Sequence, residues 1–134
     1  MSATLSPLSA SACVAAGGAM GALGRYHLGR AITHFAGPNS GFPWGTLSVN
    51  VIGSLAMGLL VGWLARFSDS NELLRLLLGV GLLGGFTTFS AFSAEMVLLI
   101  QRGQWTLSFA YGFVSIIAGL TAMLIGLMAM RAAS

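Results

Sequence analysis

The sequence predicts an all-α membrane protein, a single domain over residues 1–134 with four transmembrane helices and the third helix broken near its middle. Three observations predict this. Only 7% of the residues are charged and 56% are hydrophobic, whereas soluble domains carry about 25% charged residues. Four apolar stretches each reach the roughly 20 residues that a helix needs to cross a hydrocarbon core. The third stretch contains the run Gly84-Gly85-Phe86-Thr87-Thr88-Phe89-Ser90-Ala91-Phe92-Ser93, the poorest helix sequence in the chain. Paired glycines followed by paired β-branched threonines oppose a continuous helix. The period-two alternation of a β-barrel is absent.

The first stretch covers residues 8–28 and ends near Arg25 and Arg30. Cys13 lies within it among alanines and glycines, and a lone cysteine builds neither a disulfide framework nor a metal site within one chain. Ala10-Ser11-Ala12-Cys13 has the look of a cleavage site but lacks a basic region and a long apolar run before it, so this stretch is expected to be retained as a helix. A loop holding His34, Gly37-Pro38-Asn39-Ser40-Gly41 and Pro43 follows, with strong turn punctuation. The second stretch covers 44–67, with Trp44 and Trp63 suited to the two membrane interfaces. Residues 66–71 make a short polar connection, and the third stretch covers 72–100. Gln101-Arg102-Gly103-Gln104 forms a tight turn before the fourth stretch, 105–130.

All six basic residues are arginines, and they are dispersed. No basic stripe tracks a phosphate backbone, which argues against nucleic acid as a partner. Four spans put both termini on one side, with Arg66, Arg75 and Arg131; Arg25, Arg30 and Arg102 fall on the other. Three against three gives almost no excess to fix orientation. The chain is thus permitted to insert both ways and to form an antiparallel two-fold dimer; a modest bias or an insertion factor choosing one orientation is the alternative. Glycine is unusually frequent, with 19 residues. Gly17/Gly21, Gly58/Gly62 and Gly81/Gly85 have the spacing that lets helix backbones approach closely. Asn50, Ser54, Gly58 and Gly62 share one face of the second helix, which should meet protein. Four such helices enclose little space, so oligomerisation is expected. Gly79-Val80-Gly81-Leu82-Leu83-Gly84 fits a dinucleotide fingerprint, but that pattern has meaning only between a strand and a helix.

Backbone broken at membrane depth is tolerated where it meets protein or a water-filled path. A helix stopping near Gly84-Gly85 leaves carbonyls with partial negative charge, suited to a small cation. The main-chain carbonyls of Gly84 and Thr87 are candidate ligands, doubled by a two-fold axis. Hydroxyls of Thr88 and Ser90 can cap the second half-helix, whose N-terminus favours an anion. Phe89 and Phe92 share a face, and their positive ring edges can hold a desolvated anion. Asn50 contributes an amide, and Tyr111 and Ser115 lie four apart along the fourth helix. Glu95 is the acid well inside a span, a position that is functional by default or else solvated at an interface. Packing alone is the plainer reading of a phenylalanine pair or a kink.

With these residues assembled, the chain closely resembles the Fluc (CrcB) family of bacterial fluoride channels. The resemblance rests on Gly24-Arg25-Tyr26, on Trp44-Gly45-Thr46-Leu47-Ser48-Val49-Asn50, and on the run from Gly84 to Glu95. It implies a multi-pass protein of the bacterial inner membrane, a dual-topology antiparallel homodimer with two fluoride pores and a structural sodium ion at the central break. By the same resemblance Phe89, Phe92 and Asn50 line the pore, and the Gly84 and Thr87 carbonyls bind sodium; the Thr88 and Ser90 hydroxyls are further donors along such a path. Tyr111 and Ser115 begin a polar track, and Arg25 lies near an aqueous vestibule. Gly119 departs from the pattern, standing where some relatives have a further hydroxyl. The implied activity is passive, fluoride-selective export down its gradient, protecting the cell from fluoride; no enzymatic reaction is implied. The alternative is a small proton-coupled multidrug exporter, which generally needs a carboxylate in its first helix, and this first stretch has none. A non-conducting assembly subunit accounts for the glycines but leaves the broken helix without a purpose.

Overall fold

The computed structural model describes residues 5–66 and 72–133, and all regular structure among them is helical. Ser6 opens the first helix by accepting a hydrogen bond from the Ser9 amide (3.1 Å), and Pro7 sits where a missing N–H is harmless. Helix α1 (Pro7–Ala36) then runs for 30 residues, about 45 Å at the usual rise per residue. This corrects the expectation of 8–28: His34 belongs to the helix and not to the loop, and Arg25 and Arg30 lie along it. Gly29 does not end the helix, because its carbonyl accepts from the Thr33 hydroxyl (2.9 Å) and Gly45 of the next helix packs against it. The helix ends where Gly37 takes a φ of +90°, a conformation that L side chains avoid.

Helix α2 (Trp44–Leu64) stops short of the expected boundary at 67. Phe67 and the rest of the expected connection to residue 71 lie outside the described residues. The third span, Glu72–Gln101, is one bent, joined helix. Its first part, here α3, runs on through Glu72–Leu74, a π-helical stretch Arg75–Leu83, and Gly84–Phe86. In the π-helical stretch each amide reaches one residue further back, and the Gly84 amide accordingly donates to the Gly79 carbonyl. No residue pattern in the sequence announces this stretch. Thr87 and Thr88 are extended (ψ 156° and 122°), and α4 (Phe89–Gln101) resumes the helix. A tight turn with Gly103 at φ +75° leads into α5 (Trp105–Ala132).

These elements form two tightly crossed pairs, α1 on α3 and α2 on α5. Both crossings are made of glycine. A Cβ built on Gly81 would lie 3.0 Å from the Gly17 Cα, and one on Gly85 would lie 2.6 Å from the Gly18 carbonyl oxygen. In the second crossing, a Cβ on Gly58 would lie 3.0 Å from the Leu127 amide, and one on Gly126 would lie 2.8 Å from the Leu59 amide. Backbones this close leave no room for side chains, which is how helices associate where lipid removes the hydrophobic drive. We therefore expect Gly58→Val to destroy the native elution peak in detergent, since even one surplus methylene in a tight contact costs about 1–3 kcal/mol. Gly119→Ala is expected to elute like the wild type, because a Cβ there meets nothing closer than 3.6 Å.

Candidate functional site at the interrupted third span

The geometry around Thr87 and Thr88 follows from which groups close the two helix ends. Thr87 directs both its amide (3.0 Å) and its hydroxyl (2.9 Å) to the Leu83 carbonyl, finishing α3. The Thr88 hydroxyl accepts from the Ala91 amide (3.2 Å) and caps α4. Between these caps, the Asn50 side chain of α2 pairs with the Thr88 backbone on both sides. Its Nδ2 donates to the Thr88 carbonyl (3.0 Å), and its Oδ1 accepts from the Thr88 amide (2.8 Å). One side-chain amide thus replaces the helical partners that the extended residue has given up.

The sequence expectation placed the helix end at Gly84-Gly85, and here the structure differs. Both glycines remain helical, because Gly85 is pressed against Gly18 of α1, and the β-branched threonines leave the helix instead. The consequence for Gly84 is indirect. In a continued helix its carbonyl would take the Thr88 amide, but that amide goes to Asn50. The following carbonyl, Gly85, accepts from the Arg25 Nε (3.2 Å). Gly84 is exposed and carries one of the helix-end carbonyls that these contacts leave over.

A groove of about 320 Å³ runs beside the interruption. It brings together six of the site residues expected from the sequence: Asn50, Thr87, Thr88, Phe89, Phe92 and Ser115. Gly53, Ser54 and Met57 of α2 and Ile116, Gly119 and Met123 of α5 complete its walls. No charged side chain lines it among the described residues. The Phe89 and Phe92 rings are tilted at 44° with centroids 5.7 Å apart. Asn50 uses one N–H of its amide on Thr88, which leaves the other for a ligand in the groove. The Ser115 Oγ is buried and has no hydrogen-bond partner among the described residues, an arrangement that costs about 1–3 kcal/mol unless a ligand or water answers it.

Three other expected site residues sit elsewhere. Ser90 is exposed, and its hydroxyl lies 3.4 Å from that of Thr88. Arg25 is bound to the Gly85 carbonyl and does not line the groove. Tyr111 is fully buried, packed between the rings of Phe42 (5.4 Å) and Phe92 (5.2 Å), and its hydroxyl donates to Glu95 (2.7 Å). The Thr46 hydroxyl donates to the other Glu95 oxygen (2.6 Å). Both carboxylate oxygens of Glu95 are therefore engaged by hydroxyls, behind the Phe92 ring that faces the groove. Sequence reasoning missed Thr46, although Thr46, Asn50 and Ser54 recur every four residues on α2 and so share a face.

Comparison with known proteins gives the family of the chain. The chain matches the family described as CrcB-like protein, Camphor Resistance (CrcB), over residues 12–127. It is 57% identical over 124 residues to a protein of Novosphingobium aromaticivorans named fluoride-specific ion channel FluC, covering 92% of this chain and 98% of that one. A protein of the same name from Sphingopyxis alaskensis is 51% identical, with 88% and 92% covered. Another, from Erythrobacter litoralis, is 47% identical, with 96% of each chain covered. Likeness of this degree over nearly the whole length leaves a single assignment: the chain is a multi-pass membrane protein belonging to the CrcB-like family.

Proposed function

We propose that this protein is a passive fluoride-selective channel that lets fluoride leave the cell. The observation that carries the reading is the uncharged groove at membrane depth, which holds an unpartnered serine hydroxyl, a spare amide N–H and two phenyl rings. Fluoride is small and strongly hydrated, so donors must replace its shell in steps. Asn50, the Thr88 hydroxyl, Ser115 and the edges of Phe89 and Phe92 supply such steps in the groove, and the exposed Ser90 hydroxyl adds a donor beside it. A fixed cation in the groove would hold the ion too long, and conduction needs weak binding at several sites. Arg25 keeps positive charge beside the interruption and raises the local anion concentration without entering the path. A negative cell interior drives anion exit by about 2.3 kcal/mol per 100 mV. The names of the relatives support fluoride as the ion.

We infer that the channel is an antiparallel homodimer inserted in both orientations. Phe89 is 79% exposed and Gly84 is also exposed, so an antiparallel second copy laid against the interruption would cover both and close the groove from its open side. The leftover Gly84 carbonyl and the Thr87 carbonyl fit a small hard cation, and in the dimer two pairs of them would hold a sodium ion. Such an ion, when bound, neutralises the negative helix ends that would otherwise face one another. The exporter alternative draws no support: α1 carries no carboxylate, and both Glu95 oxygens are occupied.

Expression in a bacterium stripped of its own fluoride export tests the reading. Growth in elevated fluoride is expected to be restored. Equal inhibition with and without the chain, at verified membrane expression, would contradict the proposal.

A further inference from the structure

Gly119 stands one helical turn beyond Ser115 on α5 and contributes no side chain to the groove both residues line. A Cβ built on Gly119 would meet a single neighbour, the Ser54 Oγ of α2, at 3.6 Å. A hydroxyl on α2 therefore comes to the place where a side chain on α5 would begin. Ser54 lies one turn beyond Asn50, which already faces the same groove.

Serine in a helix commonly turns its hydroxyl back to the carbonyl four residues earlier. Ser54 does not: its hydroxyl has no hydrogen-bond partner among the described residues, while neighbouring hydroxyls of the site (Thr46, Thr87 and Thr88) are all engaged. A free hydroxyl at membrane depth calls for a ligand or water. One turn further along each helix, Met57 and Met123 line the groove, and their thioethers donate nothing.

We infer that Ser54 supplies the hydroxyl that Gly119 lacks, so that the anion path passes from Asn50 and Ser115 to a donor on α2. The inference rests on the fluoride-channel reading and adds a specific residue to it. The competing role for Ser54 is that of a small residue at the α2–α5 crossing, and alanine preserves that role.

Initial fluoride efflux from reconstituted liposomes distinguishes the two. Ser54→Ala is expected to slow efflux about tenfold, the effect of losing one hydrogen bond to a charged group. Ser54→Cys, a weak donor of similar size, is the second variant and should slow it likewise. Ser54→Thr should keep wild-type flux. The double variant Ser54→Ala with Gly119→Ser moves the hydroxyl from α2 to α5 and is expected to recover flux, whereas Ser54→Ala with Gly119→Ala should not. Unchanged flux in Ser54→Ala and Ser54→Cys overturns the inference and leaves the channel reading standing. So does a loss that Gly119→Ser fails to repair, since a hydroxyl restored at this place on the groove would then not be what the path needs. An absence of fluoride efflux from the wild type itself would overturn the reading beneath it.

Discussion

Replacing Phe89 or Phe92 by isoleucine is expected to abolish fluoride efflux from liposomes while the protein still elutes as a dimer. Isoleucine keeps most of the volume and all of the apolar character, so lipid and packing contacts survive. What it removes is the positive ring edge, the one feature of these residues that attracts an anion. The two rings lie 5.7 Å apart on the groove wall, and an ion leaving one must be received by the other. Phe92 has a second duty, because its ring packs on Tyr111 at 5.2 Å and Tyr111 in turn holds Glu95. Phe92→Ile should therefore also lower the melting temperature of the purified protein by a few degrees, and Phe89→Ile should not. Wild-type efflux in both variants would contradict the placement of the path.

Asn50→Leu is expected to be as severe, for a different reason. It strips both hydrogen bonds from the Thr88 backbone, leaving an amide and a carbonyl without partners at membrane depth. Each orphaned group costs about 1–3 kcal/mol, so the extended conformation of Thr88 should give way and the groove with it. Efflux should fall to background, and thermal aggregation in detergent should begin at a clearly lower temperature. Asn50→Asp separates the structural duty from the conducting one. Its carboxylate still accepts from the Thr88 amide but offers the groove a negative charge in place of an N–H. That variant should be more stable than Asn50→Leu and equally unable to pass fluoride. If Asn50→Leu conducted normally, the side-chain clamp would have no part in function.

How much of this was legible in the sequence depended on whether one segment or two decided each feature. The four spans were readable because length and hydropathy are local properties. The glycine pairs were readable for the same reason: spacing alone places Gly17 with Gly21 and Gly81 with Gly85 on common faces, and the α1–α3 crossing is built from them. The end of α1 was misplaced because two arginines suggested an interface, while no residue between Leu28 and Ala36 stops a helix. The extended residues Thr87 and Thr88 fall within the run that the sequence singles out, but not at its glycines. Gly85 stays helical only because α1 presses against it, a fact no single segment contains.

The site divides in the same way. Residue types pointed to Asn50, Phe89, Phe92, Thr88 and Ser115, and the groove gathers all five. Sequence could not say that Asn50 spends half of its amide on Thr88, or that Tyr111 turns from the groove to Glu95, since both depend on contacts between distant helices. Ser54 is placed with Asn50 on the protein-facing side of α2 by spacing alone, and Thr46 was within reach by the same four-residue rhythm.

The central claim is that this groove passes fluoride and refuses larger halides without coupling to protons. The most direct test is to reconstitute the purified protein and follow anion release from liposomes with fluoride and chloride electrodes, using a potassium ionophore to balance charge. Rapid fluoride release is expected, with chloride release no faster than from protein-free liposomes and no dependence on an imposed proton gradient. Equal release of the two halides, or fluoride release that stops when the proton gradient is collapsed, would contradict it.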